Sequence, residues 1–90
     1  MKYFAAFLKE NDPEKSRNYR QQHLEFLKRS EEEGKIFARG RFAKGEGGLV
    51  IYTAESHEAA LKIAQSDPYI SSGARSLELY EWEMQTAAKR

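Results

Sequence analysis

The feature that most constrains the fold is a long stretch without helix breakers, from about Glu14 to Glu33, in which neither glycine nor proline occurs. Asp12-Pro13 precedes it, and proline is favoured in the first turn of a helix because its missing N–H is not needed there. Gly34 follows it, at the position where glycine commonly ends a helix. One long helix is therefore predicted, and the remaining elements must pack around it.

Four other segments have the patterns of β-strands. Lys2–Leu8 is a short apolar run rich in aromatic residues, and Leu49–Thr53 is β-branched and aromatic, as buried strands are. Lys35–Phe42 and Arg75–Met84 alternate with a period of two. Strict alternation within Lys35–Phe42 predicts two faces, one with Ile36, Ala38, Gly40 and Phe42 and the other with Phe37, Arg39 and Arg41.

A second helix is predicted from Ser56, which can cap it, to about Ser66. Its inner face carries Ala59, Ala60, Ile63 and Ala64. The order of elements is then βαββαβ. Because both crossovers must be right-handed, this order predicts an α+β, ferredoxin-like fold, with a four-stranded antiparallel sheet and two helices on one face.

Two helices cover only one face of such a sheet. The alternate strand positions still place aromatic residues such as Trp82 on the other face, an apolar area too large to leave in water. A chain of 90 residues also buries only a modest fraction of its own surface. We therefore predict a homodimer that packs through the open face of the sheet.

Composition excludes several classes of function. Fifteen basic and fourteen acidic residues leave a net charge of +1, whereas a nucleic-acid footprint needs a basic excess on one face. RNA-recognition motifs share the βαββαβ order but need a basic and aromatic third strand, and here that strand reads GGLVIYT. We expect no nucleic-acid partner.

Cofactors and membranes are not expected either. The chain has no cysteine, its two histidines are not at the spacing of metal ligands, and GEGG lacks the lysine of a phosphate loop. We expect no metal and no cofactor. Apolar runs fall short of the ~20 residues of a membrane span, and the start MKYFAAFLKEN is too short for a signal peptide. The expected location is cytoplasmic, without membrane contact.

The first helix carries a histidine in its apolar stripe. At 100° per residue from Tyr19, His23 falls at about 40°, between Phe26 at about −20° and Leu27 at about 80°. It therefore points inward. One interpretation is a core histidine hydrogen-bonded to a carbonyl or carboxylate. The other is a working imidazole, since this group titrates near neutral pH.

The second helix supplies a candidate partner. The series Ala60, Ile63, Ala64 continues to Asp67, and an inward carboxylate needs a partner because burying it unpaired is unfavourable. An aspartate before proline also commonly starts a turn and bonds nearby backbone amides. If His23 and Asp67 meet, the carboxylate fixes the tautomer and leaves the other ring nitrogen free as a base or acid.

Other polar residues are weaker candidates. Arg39 and Arg41, with Lys44 nearby, fit either an anion-binding wall or a charged edge strand. Arg17 and Arg20 flank His23 and could also reach the mouth of the cleft, although a solvated face fits them better. Tyr69 and Ser71 follow Asp67-Pro68 and are candidates for a cleft lining or for turn formation. His57 lies away from the inner stripe and is expected to be exposed and inert.

Four segments together resemble the YciI-like family over nearly the whole chain: HLEFL, EEGKIFARGRF, GGLVIYTAESHEAALKIAQSDPY and SLELYEWE. The most specific pieces are His23-Leu24 and Asp67-Pro68-Tyr69. The resemblance implies a dimeric ferredoxin-like fold and a histidine–aspartate pair in a cleft, here His23 with Asp67. Many members have Gly-Pro where this chain reads Gly40-Arg41, so no substrate is carried over.

The resemblance also bears on function. The related superfamily includes muconolactone isomerase, and one YciI-like enzyme eliminates chloride from a chlorinated hydroxyquinol. The expectation is a single domain over residues 1–84 with a flexible tail over 85–90. It would be a small dimeric enzyme that transfers a proton on a small organic anion, of isomerase or lyase type. The alternative is a non-catalytic module that binds a small metabolite in the same cleft.

Overall fold

The structure, a computed structural model, describes residues 1–87. Within them lie seven elements: β1 (Lys2–Glu10), α1 (Pro13–Glu32), β2 (Ile36–Arg41), β3 (Gly47–Ala54), α2 (His57–Gln65), α3 (Pro68–Ser71) and β4 (Arg75–Trp82). The predicted order is confirmed, with the short helix α3 added after α2. No helix among these residues is long and apolar enough to cross a membrane. Of the predicted tail, residues 85–87 form neither helix nor strand and 88–90 lie outside the described residues.

The sheet has the order β2-β3-β1-β4 with every neighbouring pair antiparallel. This is the ferredoxin-like α+β fold that the element order predicted. Ala6 of β1 lies opposite Val50 on one side and Leu79 on the other. Because β1 is central, its helix-facing residues are at the middle of the core.

The long helix begins and ends where its sequence signals predict. The Asp12 side chain accepts a hydrogen bond from the Lys15 backbone N–H at 3.1 Å, and Pro13 occupies the first turn. Gly34 follows the helix with a φ of 76°, a left-handed conformation that a side chain disfavours. The start and the end of α1 are therefore both determined by local residues.

The core lies between the helices and one face of the sheet. Phe4 and Ala6 of β1 are fully buried there. Ala60 and Ala64 of α2 are also fully buried, and these small side chains let the helix approach the sheet closely. His23 is buried together with its neighbours in the stripe, Phe26 and Leu27, as the helical phase of α1 predicted.

The alternation predicted for β2 is wrong because the strand contains a β-bulge. Ile36 pairs with Tyr52, yet Ala38 pairs with Ile51 and Arg39 with Val50, so the register shifts between Ile36 and Ala38. A bulge inserts one extra residue and reverses the faces of all that follow. Ile36, Arg39 and Arg41 therefore share the helix-facing side. The two arginines reach the cleft described below for this reason.

The other face of the sheet carries exposed aromatic side chains. Phe37 is 54% exposed, Tyr80 59% and Trp82 44%. Tyr3 meets Phe37 edge to face, with ring centroids 5.1 Å apart. Phe7 meets Phe42 in the same way, at 5.6 Å. The expected open apolar face is present.

Candidate functional site

His23 and Asp67 form a buried pair that joins α1 to α3. The His23 Nδ1 atom lies 2.8 Å from Asp67 Oδ1 and 2.9 Å from Oδ2. Asp67 has no exposed surface and His23 is 8% exposed. The two helical phases that pointed these side chains inward thus bring them into contact across 44 residues of sequence.

Asp67 has a second role at the start of α3. It is the N-cap of this helix, and its Oδ1 atom accepts a hydrogen bond from the Tyr69 backbone N–H at 2.9 Å. The turn-forming interpretation and the histidine-pairing interpretation of Asp67 therefore hold together. Local backbone contact orients the carboxylate, and the oriented carboxylate holds the imidazole.

An aromatic and cationic stack holds the imidazole from one side. The rings of His23 and Tyr69 are stacked, with centroids 3.9 Å apart and planes inclined by 15°. The Arg75 guanidinium lies over the Tyr69 ring, 4.4 Å from its centroid, a favourable cation–π arrangement. The imidazole plane is thus held by Tyr69 while its Nδ1 is held by Asp67.

Burial raises the pKa of Tyr69 above its usual value, although Arg75 and Arg20 act in the opposite direction. The Tyr69 phenol therefore stays protonated at neutral pH. Tyr52, fully buried on β3, behaves in the same way: burial and then the Asp67 carboxylate raise its pKa. Its hydroxyl is the one enclosed side-chain polar atom within residues 1–87 that has no hydrogen-bond partner. Both phenols therefore stay neutral at neutral pH.

Arg75 is tied to its position by a small polar network. Its Nε atom lies 3.2 Å from Glu10 Oε1 and 3.3 Å from Ser16 Oγ. Ser16 in turn donates to Glu10 Oε2 at 2.8 Å. Glu10 and Arg75 are opposite each other in the β1–β4 register. Sequence reasoning missed this residue because only the strand pairing brings it to the site.

A cleft of about 440 Å³ opens beside the pair. It is bounded by α1, the ends of β1, β2 and β3, and Tyr69, and His23 lies in its wall. Since Nδ1 is bonded to Asp67, Nε2 is the remaining nitrogen. Nε2 has no hydrogen-bond partner within residues 1–87 and is not fully enclosed. The free nitrogen is thus available to a molecule in the cleft.

Five arginines line this cleft: Arg17, Arg20, Arg39, Arg41 and Arg75. For Arg39 and Arg41 the sequence left open an anion-binding wall or a charged edge strand, and the β2 bulge places both on the cleft side. Arg17 and Arg20 were assigned to a solvated face, yet they line the cleft while remaining exposed. Arg39 is bonded through Nε to Glu31.

Two other candidates lie elsewhere. Ser71 is exposed at the end of α3 and is not in the cleft wall, because α3 turns it to the surface. His57 is exposed as expected; its ring meets Phe4 edge to face at 6.0 Å and its Nε2 lies 3.5 Å from the Leu79 carbonyl oxygen. The Ser71 backbone N–H donates to the Asp67 backbone carbonyl at 2.9 Å, but neither the Ser71 nor the His57 side chain bonds to the His23 ring or the Asp67 carboxylate.

Comparison with known proteins identifies the family of this chain. The model of the YCII-related domain matches residues 1–83. The chain belongs to this family. The resemblance drawn from HLEFL and Asp67-Pro68-Tyr69 is thereby confirmed.

This YCII-related domain is also similar to individual proteins. It is 36% identical over 62 residues to the uncharacterized protein YjpA of Bacillus subtilis (strain 168), covering 69% of this chain and 73% of that one. A solved structure with a TM-score of 0.77 is the 5-chloro-2-hydroxyhydroquinone dehydrochlorinase TftG from Burkholderia phenoliruptrix AC1100, in complex with 2,5-dihydroxybenzoquinone. It is 18% identical, and the match covers 92% of this chain and 95% of that one. This likeness shows a shared fold.

The stack on His23 allows a direct test in the YCII-related domain. Tyr69→Leu removes the ring that packs on the imidazole from a position that is 4% exposed. We expect it to lower the free energy of unfolding by ~2–4 kcal/mol, as large-to-small core substitutions do, and to move the His23 ring proton resonances in NMR spectra. Tyr69→Phe keeps the ring and should change neither by much. Equal effects of the two variants would contradict a role for stacking.

Proposed function

We propose that this YCII-related domain is a small dimeric enzyme that transfers a proton on a small organic anion, with His23 as the acid and base. One observation carries the proposal. His23 is held at Nδ1 by the buried Asp67 carboxylate, while Nε2 is free beside a cleft lined with arginines. This arrangement is suited to proton transfer at a fixed point.

The chemistry follows from the tautomer. Nδ1–H donates to Asp67, so the Nε2 lone pair is available to take a proton from a carbon atom of the bound molecule. The electron pair left on carbon moves onto an adjacent carbonyl oxygen and forms an enolate. The Asp67 carboxylate stabilises the imidazolium, and the positive potential of the arginines in the cleft wall stabilises the enolate oxygen.

Two outcomes are open to this intermediate. Return of the proton from Nε2 to a different carbon completes an isomerisation. Departure of an anionic leaving group from the neighbouring carbon, together with its bonding electron pair, completes an elimination. A dehydrochlorinase with the same fold, TftG, supports the second type as a reaction that this architecture can hold.

The alternative is a module that binds a small metabolite in the same cleft without changing it. The exposed arginines of the cleft favour this second candidate, because they can bind an anion whether or not His23 acts on it. Proton transfer at carbon separates the two candidates.

Deuterium exchange tests the proposal without knowledge of the natural substrate. A panel of enolisable 2-keto acids is incubated with the protein in D₂O, and loss of carbon-bound protons is followed by NMR. For at least one compound we expect exchange that falls by about 100- to 10,000-fold in His23→Phe, the usual contribution of a general base. His57→Gln, which removes the other histidine, serves as the control and should match the native chain.

Two results would count against enzymatic proton transfer. Exchange at equal rates in His23→Phe and the native chain would remove His23 from the mechanism. Saturable thermal shifts across the panel without any exchange would select the binding module. Folding of each variant is checked first by circular dichroism.

We also propose that the protein assembles as a homodimer through the open face of the sheet. The support is the set of exposed aromatic side chains on that face, among them Phe37, Tyr80 and Trp82. Aromatic residues of this kind are enriched in protein interfaces. The helix-facing side, where the cleft opens, stays accessible in such a dimer.

A further inference from the structure

The proposed function requires an anionic ligand, and the charges in the cleft specify it further. Resting on that function, we propose that the ligand is a dianion whose two anionic groups are separate. One group binds Arg41 on the sheet side, and the other binds Arg17 and Arg20 on the helix side.

The balance of charge in the cleft supports two anionic groups. Of its five arginines, Arg39 is paired with Glu31 and Arg75 with Glu10. The other three have no ion pair within residues 1–87. Glu10 is the one carboxylate in the cleft wall, and Arg75 and Ser16 already hold it. Three arginines of the cleft can therefore bind an anionic ligand without breaking an ion pair of the protein: Arg17, Arg20 and Arg41.

These three arginines lie on two different walls. Arg17 and Arg20 are three residues apart on α1, and His23 follows after another three, so all share one side of the helix. Arg41 is at the end of β2, opposite Gly48. Gly48, which lies opposite Arg41, has no side chain to fill the space between these walls. A Cβ atom at this position would lie 3.1 Å from the Gly40 carbonyl oxygen and 3.8 Å from Arg75 Nη1.

A single carboxylate does not satisfy this arrangement. One guanidinium takes one carboxylate through two parallel hydrogen bonds, which leaves the opposite wall unneutralised. Charges of one sign lining a concave surface reinforce one another's potential. A molecule with an anionic group at each end neutralises both walls and places its central carbon atoms between them. His23 lies in the same cleft wall, on the helix that carries Arg17 and Arg20.

The position of Arg41 depends on the β-bulge in β2. Strict alternation would have put Arg41 on the open face, and the bulge before Ala38 brings it to the cleft. An arginine that only protects an edge strand from pairing does not have to lie on the helix-facing side of the sheet. The 440 Å³ of the cleft lies in the ~300–1,000 Å³ range of small-molecule sites.

Calorimetry with matched acids tests the proposal. Benzoate is compared with benzene-1,3-dicarboxylate, and butyrate with pentanedioate, at low ionic strength. We expect the dicarboxylate of each pair to bind the native chain about 10- to 100-fold more tightly, the worth of one further charge-assisted contact. Arg41→Gln should reduce this preference about tenfold or more, and so should Arg17→Gln/Arg20→Gln. Added salt should weaken the dicarboxylate more than the monocarboxylate.

Arg29→Gln is the matched control, since Arg29 is an exposed arginine of α1 outside this cleft. It should leave both affinities unchanged. Equal affinity for mono- and dicarboxylates, no binding of dicarboxylates at millimolar concentration, or an equal loss in Arg29→Gln would each overturn the proposal.

The binding and exchange experiments together distinguish the dianion site from the proposed proton transfer. A dicarboxylate preference without deuterium exchange leaves the dianion site intact and removes the proton transfer. Exchange on monoanions with no dicarboxylate preference does the opposite.

Discussion

Replacing His23 by phenylalanine should lower the free energy of unfolding by about 3–5 kcal/mol, the range observed when a buried charge loses its partner. Asp67 is fully buried, and without the imidazole its carboxylate keeps only the Tyr69 backbone N–H. Phenylalanine preserves a ring stacked on Tyr69, so most of the loss comes from the unpaired carboxylate rather than from a cavity. Urea denaturation measures the effect as a shift of midpoint at constant slope.

Asp67→Asn separates charge from shape in this experiment. On its own it keeps an oxygen for the Tyr69 N–H and for His23 Nδ1, and we expect a loss of only about 1 kcal/mol. In the His23→Phe background the same change removes the unpaired charge and should stabilise the protein. A loss below about 1 kcal/mol for His23→Phe, or additive losses in the double variant, would show that the pair is not coupled.

The double variant also serves the functional question. A stable protein that has the fold but lacks the pair shows whether His23 matters beyond folding. If it binds anions normally but no longer exchanges carbon-bound protons, the loss belongs to chemistry and not to stability.

Tyr80→Glu/Trp82→Glu should convert a micromolar dimer into a monomer. These side chains are 59% and 44% exposed on the same face of β4. In the proposed dimer both side chains are buried against the second copy, and glutamates there would put like charges into an apolar interface. We expect the dissociation constant to rise at least about 100-fold, as loss of aromatic hot-spot residues does. Sedimentation equilibrium measures it.

Gln22→Glu/Gln65→Glu adds the same two negative charges to exposed positions on the helical side and should leave the dimer unchanged. A native chain that sediments as a clean monomer at micromolar concentration would rule out the dimer. Dissociation by both double variants alike would point to net charge instead of the open face.

Much of the site follows from periodicity. The phase of α1 turned His23 inward, and the phase of α2 continued to Asp67, so the pair was a reasonable prediction before any contact was known. The residues that surround the pair could not be predicted in this way. The stack of Tyr69 on His23 depends on α3, a single short turn whose pattern is too brief to distinguish from a loop. Arg75 depends on being opposite Glu10 in the β1–β4 register, which no local pattern contains.

The sequence alone determined the elements, their order and the inward direction of His23, because helix and strand periods are local and repeat over many residues. Strict alternation failed at β2, since one extra residue at Phe37 reverses every side chain after it and a bulge is stabilised by its neighbours in the sheet. Only the tertiary structure decided which arginines share a cleft with His23 and which of them already have an acidic partner. Those contacts join α1, β1, β2 and β4, and their energy depends on distances that the chain acquires when it folds.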